Sequence, residues 1–390
     1  MQNYSSSERT AVVQTPIIPT INQWVKQHPG TISLGQGVAF YGPPQQTYEY
    51  LEKTLGARHC DLYGPVEGLP ELQQVLTEKL RTRNNIEVSE QQALFVTAGS
   101  NMAFSSLMLA ITDPGDEIIL LTPYYFNHEM AIRLANARPV LVPTQADFHP
   151  DIDAIKAAIT PKTRAIVTVS PNNPTGAVYT QDELTAINQL CLQHGLYHIS
   201  DEAYEDFVYD HHQHYSAAQL EASQAHTISL FSLSKAYGFA GWRVGYMLLP
   251  QQLLLALKKV QDTVLISPPI VSQLAAIGAH QAPYQYIQDK LAVIDQARRY
   301  CLTRLNQSGL LATNASSEGA FYIFAQLKIK QDDLHLTQTL IRDNAVAVIP
   351  GSAFAAQAGT YVRISYGALT PATVNQGISQ LISGLHQLTD

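Results

Sequence analysis

The 390-residue sequence has little charge: Asp, Glu, Lys and Arg make up 14% of it, against about 25% in an average soluble domain. The 24 Lys and Arg residues are outnumbered by 32 Asp and Glu residues, which gives a net charge of −8 at pH 7. This balance does not favour a polyanionic partner such as nucleic acid. The hydrophobic content of 46% excludes a disordered chain, because disorder requires low hydrophobicity with high charge. We therefore expect a folded protein with a large core.

Cysteine, long apolar runs and a secretion signal are also scarce or missing. The three scattered cysteines, Cys60, Cys191 and Cys301, form no disulfide framework and fit a reducing compartment. No apolar run approaches the roughly 18–20 residues that a membrane helix needs. Segment 1–19 lacks a basic stretch followed by an apolar one, so no secretory signal is predicted. These absences predict a cytoplasmic protein without a membrane partner.

Short apolar runs alternate with helix-like stretches between residues 93 and 250. The runs are 93–97, 117–122, 139–144, 165–170, 196–200, 227–231 and 243–249. Such runs separated by helices are typical of a mainly parallel sheet that is covered on both faces. One intervening helix is marked by a capping box, Thr180 with Glu183, and by Gly195 as its C-terminal stop.

Past residue 280 the pattern changes. A long helix at about 287–305 precedes further strands, a helix near 333–343 and a last helix with Thr370 as N-cap and Pro371 at its first position. We therefore predict an α/β protein whose large domain, residues 46–280, holds a mainly parallel seven-stranded sheet sandwiched by helices. A smaller α+β domain is predicted from both chain ends, residues 1–45 and 281–390.

Polar residues follow several of these runs at predicted strand ends. Lys235 ends the motif Ser232-Leu-Ser-Lys235, and a lysine in a semi-buried pocket favours the neutral amine that Schiff-base chemistry needs. Ser232 and Arg243 offer donors to a phosphate. The alternative interpretation of this segment is a surface turn whose Lys and Arg serve solubility.

Three more strand ends carry polar groups. Asn173 lies in a stiff turn, Asp201 and Tyr204 follow a buried run, and Gly99-Ser100-Asn101 opens a helix whose amides can bind an anion. Aromatic residues at 124–126 can stack on a planar ring. Taken singly, each also fits an ordinary role as a turn, an N-cap or a core residue.

Three other motif matches are weak. Ser232-Leu-Ser-Lys235 matches the nucleophile motif of penicillin-recognising serine enzymes, but their two further elements are missing. Leu34-Gly-Gln-Gly37 begins like a dinucleotide fingerprint but continues with Phe40. The His-rich stretch 211–214 lacks carboxylates or cysteines at ligand spacing, so we interpret it as a solvated loop and predict no metal.

The order of these motifs along the chain is more specific than any one of them. Asn172-Asn-Pro-Thr-Gly176, Asp201-Glu-Ala-Tyr204 and Ser232-Leu-Ser-Lys235 with Arg243 together resemble the class I/II aminotransferases of the fold-type I pyridoxal-phosphate family. The resemblance extends from Ile32 to Gly367.

This resemblance implies a role for each matching residue. Lys235 is similar to the lysine that binds pyridoxal 5′-phosphate covalently and moves the substrate proton. Asp201 corresponds to the partner of the pyridine nitrogen, and Asn173 and Tyr204 to the residues that hydrogen-bond the ring oxygen. The catalytic set is thus Lys235, Asp201 and Tyr204.

The resemblance also implies the remaining contacts. The phosphate ligands correspond to Gly99, Ser100, Asn101, Ser232 and Arg243. Tyr125 corresponds to the aromatic that stacks on the ring. Tyr63 is similar to the tyrosine that reaches the phosphate of a neighbouring subunit, which implies a homodimer with shared active sites. The substrate set is Arg363, which would bind the α-carboxylate, with Gly37 and Asn173.

The implied activity is transfer of an amino group from an L-amino acid to a 2-oxo acid such as 2-oxoglutarate by a ping-pong mechanism. One subgroup, which acts on aspartate, reads the side-chain carboxylate with an arginine whose position here is Thr263. We therefore expect aromatic, methionine, glutamine or kynurenine-like donors to be favoured over aspartate. The alternatives left open are a C–S β-lyase with the same cofactor and, less favoured, a non-enzymatic regulator that retains the fold.

Overall fold

The computed structural model describes residues 5–356 and 358–389, which contain thirteen α-helices and twelve β-strands. The helices are α1 (Glu8–Ala11), α2 (Ile17–Gln27), α3 (Gln45–Thr54), α4 (Pro70–Arg83), α5 (Ser100–Ile111), α6 (Phe126–Leu134), α7 (Ile152–Ala158), α8 (Gln181–His194), α9 (Leu254–Val264), α10 (Ile270–His280), α11 (Gln285–Gln307), α12 (Asp333–Asn344) and α13 (Pro371–Gln387). The strands are β1 (Ile32–Ser33), β2 (Gln92–Thr97), β3 (Glu117–Thr122), β4 (Arg138–Pro143), β5 (Thr163–Val169), β6 (Tyr197–Asp201), β7 (Thr227–Ser232), β8 (Gly245–Pro250), β9 (Tyr322–Leu327), β10 (Val346–Ala347), β11 (Ile349–Pro350) and β12 (Thr360–Ser365). Among these described helices, none combines the length and the apolar character needed to cross a membrane.

Strands β2 to β8 form one sheet in the order β2-β8-β7-β6-β5-β3-β4. Strand β8 runs antiparallel to β2 and β7, and the other neighbouring pairs are parallel. The predicted mainly parallel seven-stranded sheet is therefore confirmed. The first and last residues of each predicted apolar run agree with those of one strand to within two positions.

Helices cover both faces of this sheet, as strand β3 shows. Ile118 and Leu120 pack in one cluster with Phe104 of α5. The intervening Ile119 packs in a different cluster with Leu184 of α8. Because successive strand residues point to opposite faces, an uninterrupted apolar run is what a sheet covered on both sides requires.

Local sequence signals set both ends of α8 and the start of α13 as predicted. At α8 the Thr180 side chain accepts a hydrogen bond from the Glu183 amide, the Glu183 side chain accepts one from the Thr180 amide, and Gly195 ends the helix in the left-handed conformation. At α13 the Thr370 side chain caps the first turn and Pro371 occupies its first position.

Two smaller sheets bring the chain ends together. Strand β1 pairs with β10 in parallel, with Ile32 opposite Val346, and β9, β12 and β11 form an antiparallel sheet. The division into a large domain of residues 46–280 and a small domain of residues 1–45 and 281–390 stays a prediction. Residues 1–4 and 390, at the outer ends of that small domain, lie outside the described residues.

Candidate active site

The polar residues that follow the strands lie around one pocket. Strands β2, β5, β6 and β7 end at the same edge of the sheet, and the antiparallel β8 begins there. The pocket encloses about 500 Å³ of empty space, including space open to solvent. It is lined by Ser100, Asn101, Tyr125, Val169, Asn173, Asp201, Ala203, Tyr204, Ser232, Ser234, Lys235 and Arg243. The topology thus brings together residues that are more than a hundred positions apart in the sequence.

Lys235 lines the pocket just after β7. Its Nζ donates a hydrogen bond to the Gly37 carbonyl oxygen at 2.6 Å, and it forms no ion pair with a carboxylate in the part of the chain that the structure describes. Burial, followed by the nearby charges of Arg363 and Arg243, lowers the pKa of Lys235 to about 8, while Asp201 acts in the opposite direction. The amine is therefore much easier to deprotonate than that of an exposed lysine, as a nucleophile requires.

One end of the pocket presents hydrogen-bond donors to an anion. Helix α5 begins at Ser100, after Gly99 with a φ of +87°. A Cβ atom at Gly99 would lie 2.3 Å from Nη2 of Arg243, so only glycine leaves room for this guanidinium. Arg243 donates to the Ala240 carbonyl at 2.9 Å and has no carboxylate partner within residues 5–356 and 358–389. A helix N-terminus with an arginine whose charge is not neutralised suits a phosphate.

A carboxylate also lines the pocket. Asp201 is the last residue of β6 and is buried. Its Oδ1 accepts a hydrogen bond from the Ala203 amide at 3.1 Å, and its Oδ2 lies 3.0 Å from Nε2 of His128. His128 is held by the Phe104 ring, which stacks on it at 4.0 Å. A carboxylate fixed in this way can stabilise a protonated ring nitrogen.

His128 was not singled out by the sequence analysis. Its signal is its position on α6, three residues after Tyr125, because residues three apart on a helix share a face. That spacing is too common to predict a site residue without knowing that α6 lies beside the end of β6.

Arg363 lies behind Asn173, outside the atoms that line the pocket. Its Nη1 donates to Oδ1 of Asn173 at 2.9 Å and its Nη2 donates to the Gly35 carbonyl at 2.7 Å. Only 2% of Arg363 is exposed, its Nε has no partner, and the described residues form no ion pair with it. The guanidinium packs against the rings of Tyr322 and Phe354 at 4.5 and 5.0 Å. A buried cation paired only with neutral groups favours the arrival of an anion.

Tyrosines form the walls near the carboxylate. The hydroxyls of Tyr204 and Tyr322 lie 2.7 Å apart, and the Tyr125 hydroxyl donates to Oδ1 of Asn101 at 3.2 Å. Tyr322 was not among the predicted site residues. A Cβ atom at Gly37 would lie 2.8 Å from the Tyr322 hydroxyl, so glycine at position 37 allows this close approach.

Tyr63 is the one predicted site residue that lies away from the pocket. It is 81% exposed on the surface of the chain. The structure therefore does not bring Tyr63 to the site of its own chain. Its predicted contact with a neighbouring subunit stays a prediction.

The structure also shows the contacts of two other motifs, Ser232-Leu-Ser-Lys235 and the His-rich stretch 211–214. Ser232 Oγ accepts a hydrogen bond from the Ser234 amide at 3.2 Å, whereas Lys235 donates to Gly37, so no serine–lysine contact forms. The predicted solvated histidine loop is wrong at His214, whose Nε2 lies 3.0 Å from Oε2 of the buried Glu202. A fully buried carboxylate needs a partner, and the loop supplies it.

Comparisons with known proteins agree with this geometry. The sequence profile of the family described as aminotransferase class I and II matches residues 29–381. The aspartate aminotransferase of Pyrococcus abyssi is 36% identical over 346 residues, which cover 86% of this chain and 87% of that protein. The aromatic aminotransferase ISS1 of Arabidopsis thaliana is 32% identical over 391 residues, with coverage of 98% and 96%. A solved structure, a single mutant of Thermus thermophilus aspartate aminotransferase, is 31% identical and matches with a TM-score of 0.90, with coverage of 98% and 100%.

Proposed function

The chain belongs to the class I and II aminotransferase family, and on that premise we propose that it prefers aromatic, methionine, glutamine or kynurenine-like amino donors to aspartate. Aminotransferase activity and dependence on pyridoxal phosphate come with the family. The relatives named above include both an aspartate and an aromatic aminotransferase. The choice of donor therefore has to rest on this chain's own pocket.

The observation that carries the proposal is the set of cations at the site. Lys235 and Arg243 are the cationic side chains of the pocket lining in the described residues, and Arg363 lies directly behind it. We assign each of the three another task, so none remains for a side-chain carboxylate. Thr263, at the position of the aspartate-reading arginine, donates its hydroxyl to the Lys259 carbonyl on the exposed face of α9. An aspartate side chain would lose water without gaining a charged partner, whereas tyrosine-lined walls suit apolar donors.

The pocket fits pyridoxal phosphate in the chemistry of its donors. Gly99, Ser100, Asn101, Ser232 and Arg243 would hold the phosphate. Asp201 would hold the protonated ring nitrogen, Asn173 and Tyr204 the ring oxygen, and Tyr125 the ring face. When bound, the cofactor supplies an electron sink that lets an amino acid lose its α-proton.

The protein's own residues would then perform two tasks in each half of the ping-pong cycle. Arg363 binds and orients the α-carboxylate by a bidentate pair, beside Asn173. The Lys235 amine, once neutral, accepts the α-proton at Nζ. It later releases a proton from the same atom to complete the transfer. Burial, followed by the charges of Arg363 and Arg243, keeps the pKa of that amine low, so proton acceptance is feasible near neutral pH.

We also propose that the enzyme is a homodimer in which Tyr63 reaches the partner's phosphate site. Tyr63 and Leu62 are exposed, as is Ile266. These segments are neighbours, because the Gly64 amide donates to Oγ of Ser267 at 3.2 Å. Adjoining exposed apolar residues mark an interaction surface. Sedimentation of the wild type against Tyr63→Ala, together with phosphate-dependent cofactor retention, tests this proposal.

A panel of amino acids tests the donor preference. Each donor is mixed with the cofactor-bound enzyme without an oxo acid, and the rate of the absorbance change of the bound cofactor is measured. We expect phenylalanine and methionine to react at least about tenfold more efficiently than aspartate. A clear preference for aspartate would show that another group reads the carboxylate. Release of pyruvate from cystathionine without any oxo acid would instead favour the C–S β-lyase alternative.

A further inference from the structure

Two loops that carry the site residues meet behind the pocket. Strand β6 ends at Asp201, and the loop that follows it carries Tyr204 and continues to Asp206. The loop after β7 carries Lys235 and continues to Tyr237. Their lengths and the pairing of β6 with β7 place them side by side, but no hydrogen bond that the structure describes joins one loop directly to the other.

Arg83, the last residue of α4, bridges these two loops. Its Nη2 forms an ion pair with Oδ1 of Asp206, and its Nη1 donates a hydrogen bond to the Tyr237 hydroxyl at 3.0 Å. The side chains of Arg83 and Asp206 are 21% and 7% exposed, so water competes little for either contact. The Tyr284 ring packs over the guanidinium at 4.2 Å and fixes its plane.

Tyr237 also contacts a buried histidine. Burial, followed by the charges of Arg83 and Lys79, lowers the pKa of His280 to about 3, so this imidazole is neutral. The Tyr237 hydroxyl accepts a hydrogen bond from Arg83 and lies 3.2 Å from Nδ1 of the neutral His280. Two polar contacts therefore hold the Tyr237 hydroxyl in place.

The segment between Lys235 and Gly238 is fixed from the other side as well. The Tyr41 hydroxyl lies 3.3 and 3.2 Å from the carbonyl oxygens of Lys235 and Ala236. A Cβ atom at Gly238, whose φ is +67°, would lie 2.6 Å from the Tyr41 carbonyl oxygen. The backbone of Lys235 is therefore clamped between Tyr41 and the Arg83–Tyr237 contact.

We propose that Arg83 is a positioning residue for transamination, which ties the loop of Tyr204, directly after Asp201, to the loop of Lys235 without touching substrate or cofactor. The inference rests on the proposed roles of Lys235 and Asp201. Its physical basis is that proton transfer depends steeply on distance, and a misplacement of about 1 Å can cost about a hundredfold in rate. One rigid guanidinium with a planar fork of donors holds both loops in a fixed relative geometry, which the freely rotating ammonium of a lysine would not impose.

The experiment compares the cofactor-bound full-length enzyme with Arg83→Met and Tyr237→Phe. The pH midpoint of the bound-cofactor absorbance is measured along with kcat, KM and the midpoint of urea unfolding. The matched control is Arg81→Met on the same helix, since Arg81 is exposed and pairs only with Glu78.

We expect Arg83→Met to lower kcat about tenfold with KM changed less than about twofold. It should also raise the absorbance midpoint by at least half a pH unit, because a loosened loop lets water screen the cations around Lys235. Tyr237→Phe should also lower kcat and raise the absorbance midpoint, each by a smaller amount. The kcat of the double variant should be no lower than that of Arg83→Met. Arg81→Met should match the wild type.

An unchanged absorbance midpoint in Tyr237→Phe would overturn the proposal, whether or not Arg83→Met folds. So would an Arg83→Met enzyme that loses stability while keeping its midpoint and kcat, since Arg83 would then only anchor α4. A wild type without any cofactor absorbance would contradict the proposed site instead, which keeps the two failures distinguishable.

Discussion

Two lysines in the interior of this protein have opposite surroundings. Lys79 on α4 is 6% exposed and forms an ion pair with Glu205 at 2.5 Å. Lys235 in the pocket donates its hydrogen bond to a backbone carbonyl, and burial, followed by the charges of two arginines, lowers its pKa. The first arrangement stabilises the charged amine and holds a loop in place. The second leaves the amine ready to lose its proton.

Two arginines show the same contrast. Arg298 on α11 is 4% exposed and pairs with Asp210 and Asp295 at 2.8 and 2.7 Å. Arg363 is as deeply buried, but within the described residues its guanidinium donates hydrogen bonds only to neutral groups, Asn173 and the Gly35 carbonyl. Carboxylate-paired cations therefore mark the framework of this protein, and cations without carboxylates mark its site. The comparison teaches that burial alone does not identify a functional cation, whereas burial without a counter-charge does.

The largest expected effect comes from replacing each of the two lysines. Lys235→Ala should lower kcat/KM by at least about 10⁴-fold, because the nucleophile and the proton carrier are both lost, and should abolish the pH-dependent absorbance of the bound cofactor. Lys79→Met should instead lower the free energy of unfolding by about 3–5 kcal/mol, since Glu205 stays buried without its partner. Urea unfolding and absorbance spectra check both. A Lys235→Ala enzyme that retains the absorbance would break the comparison.

The arginines should differ in the same way. Arg363→Met should lower kcat/KM about 10²- to 10³-fold, because two charge-assisted hydrogen bonds to the substrate carboxylate are lost. Arg298→Met should leave KM unchanged and lower the free energy of unfolding by about 3 kcal/mol. Steady-state kinetics and urea unfolding separate the two. An unaltered KM in Arg363→Met would remove this residue from the substrate set.

Cofactor recapture should report the pKa of Lys235. After removal of pyridoxal phosphate, the rate at which the chain recaptures it depends on the neutral amine. Below about pH 8 this rate should rise about tenfold per pH unit, and above it the rate should level off. Stopped-flow absorbance across this range measures the midpoint. A midpoint near the ordinary lysine value of 10.5 would show that the surroundings of Lys235 do not lower its pKa.

The smallest effect concerns a framework cation away from the site. His149 lies 2.9 Å from Glu183 and 3.3 Å from Glu318, and these two carboxylates raise its pKa to about 10. Because the folded pKa exceeds the unfolded value of 6.5, the stabilisation is complete below about pH 6.5 and is lost as pH rises through about 10.

His149→Gln should therefore cost about 1–3 kcal/mol in the free energy of unfolding near pH 6 and almost nothing above pH 10. Denaturant unfolding at several pH values checks this, with kcat as the control. A loss of activity at constant stability would show that the framework and the site are not separate.

The sequence predicted the elements of the large sheet because their signals are local. A strand buried on both faces is apolar along most of its length, as residues 118–121 of β3 show. A capping box and a terminal glycine define α8 within a span of sixteen residues, from Thr180 to Gly195. Residues that follow such strands also share one edge of the sheet, so Asn173, Asp201 and Lys235 could be placed together.

The sequence did not predict the contacts that complete the site. His128 contacts the Asp201 carboxylate, and the hydroxyls of Tyr322 and Tyr204 are hydrogen-bonded although the two residues are 118 positions apart in the sequence. Nothing in the neighbourhood of either residue along the chain marks it, since histidine on a helix and tyrosine in a strand are ordinary. The same holds for Arg83, whose two partners lie on different loops.

The sequence by itself determined the strands of the large sheet, the ends of α8 and the residue types that we propose hold a phosphate, a ring nitrogen and a carboxylate. Only the tertiary structure decided which cations have counter-charges. That decision separates Lys235 and Arg363 from Lys79 and Arg298, although the four are alike as sequence letters. The physical reason is that secondary structure follows from interactions between near neighbours along the chain, whereas a charge in the interior is stabilised by groups that packing brings from distant segments.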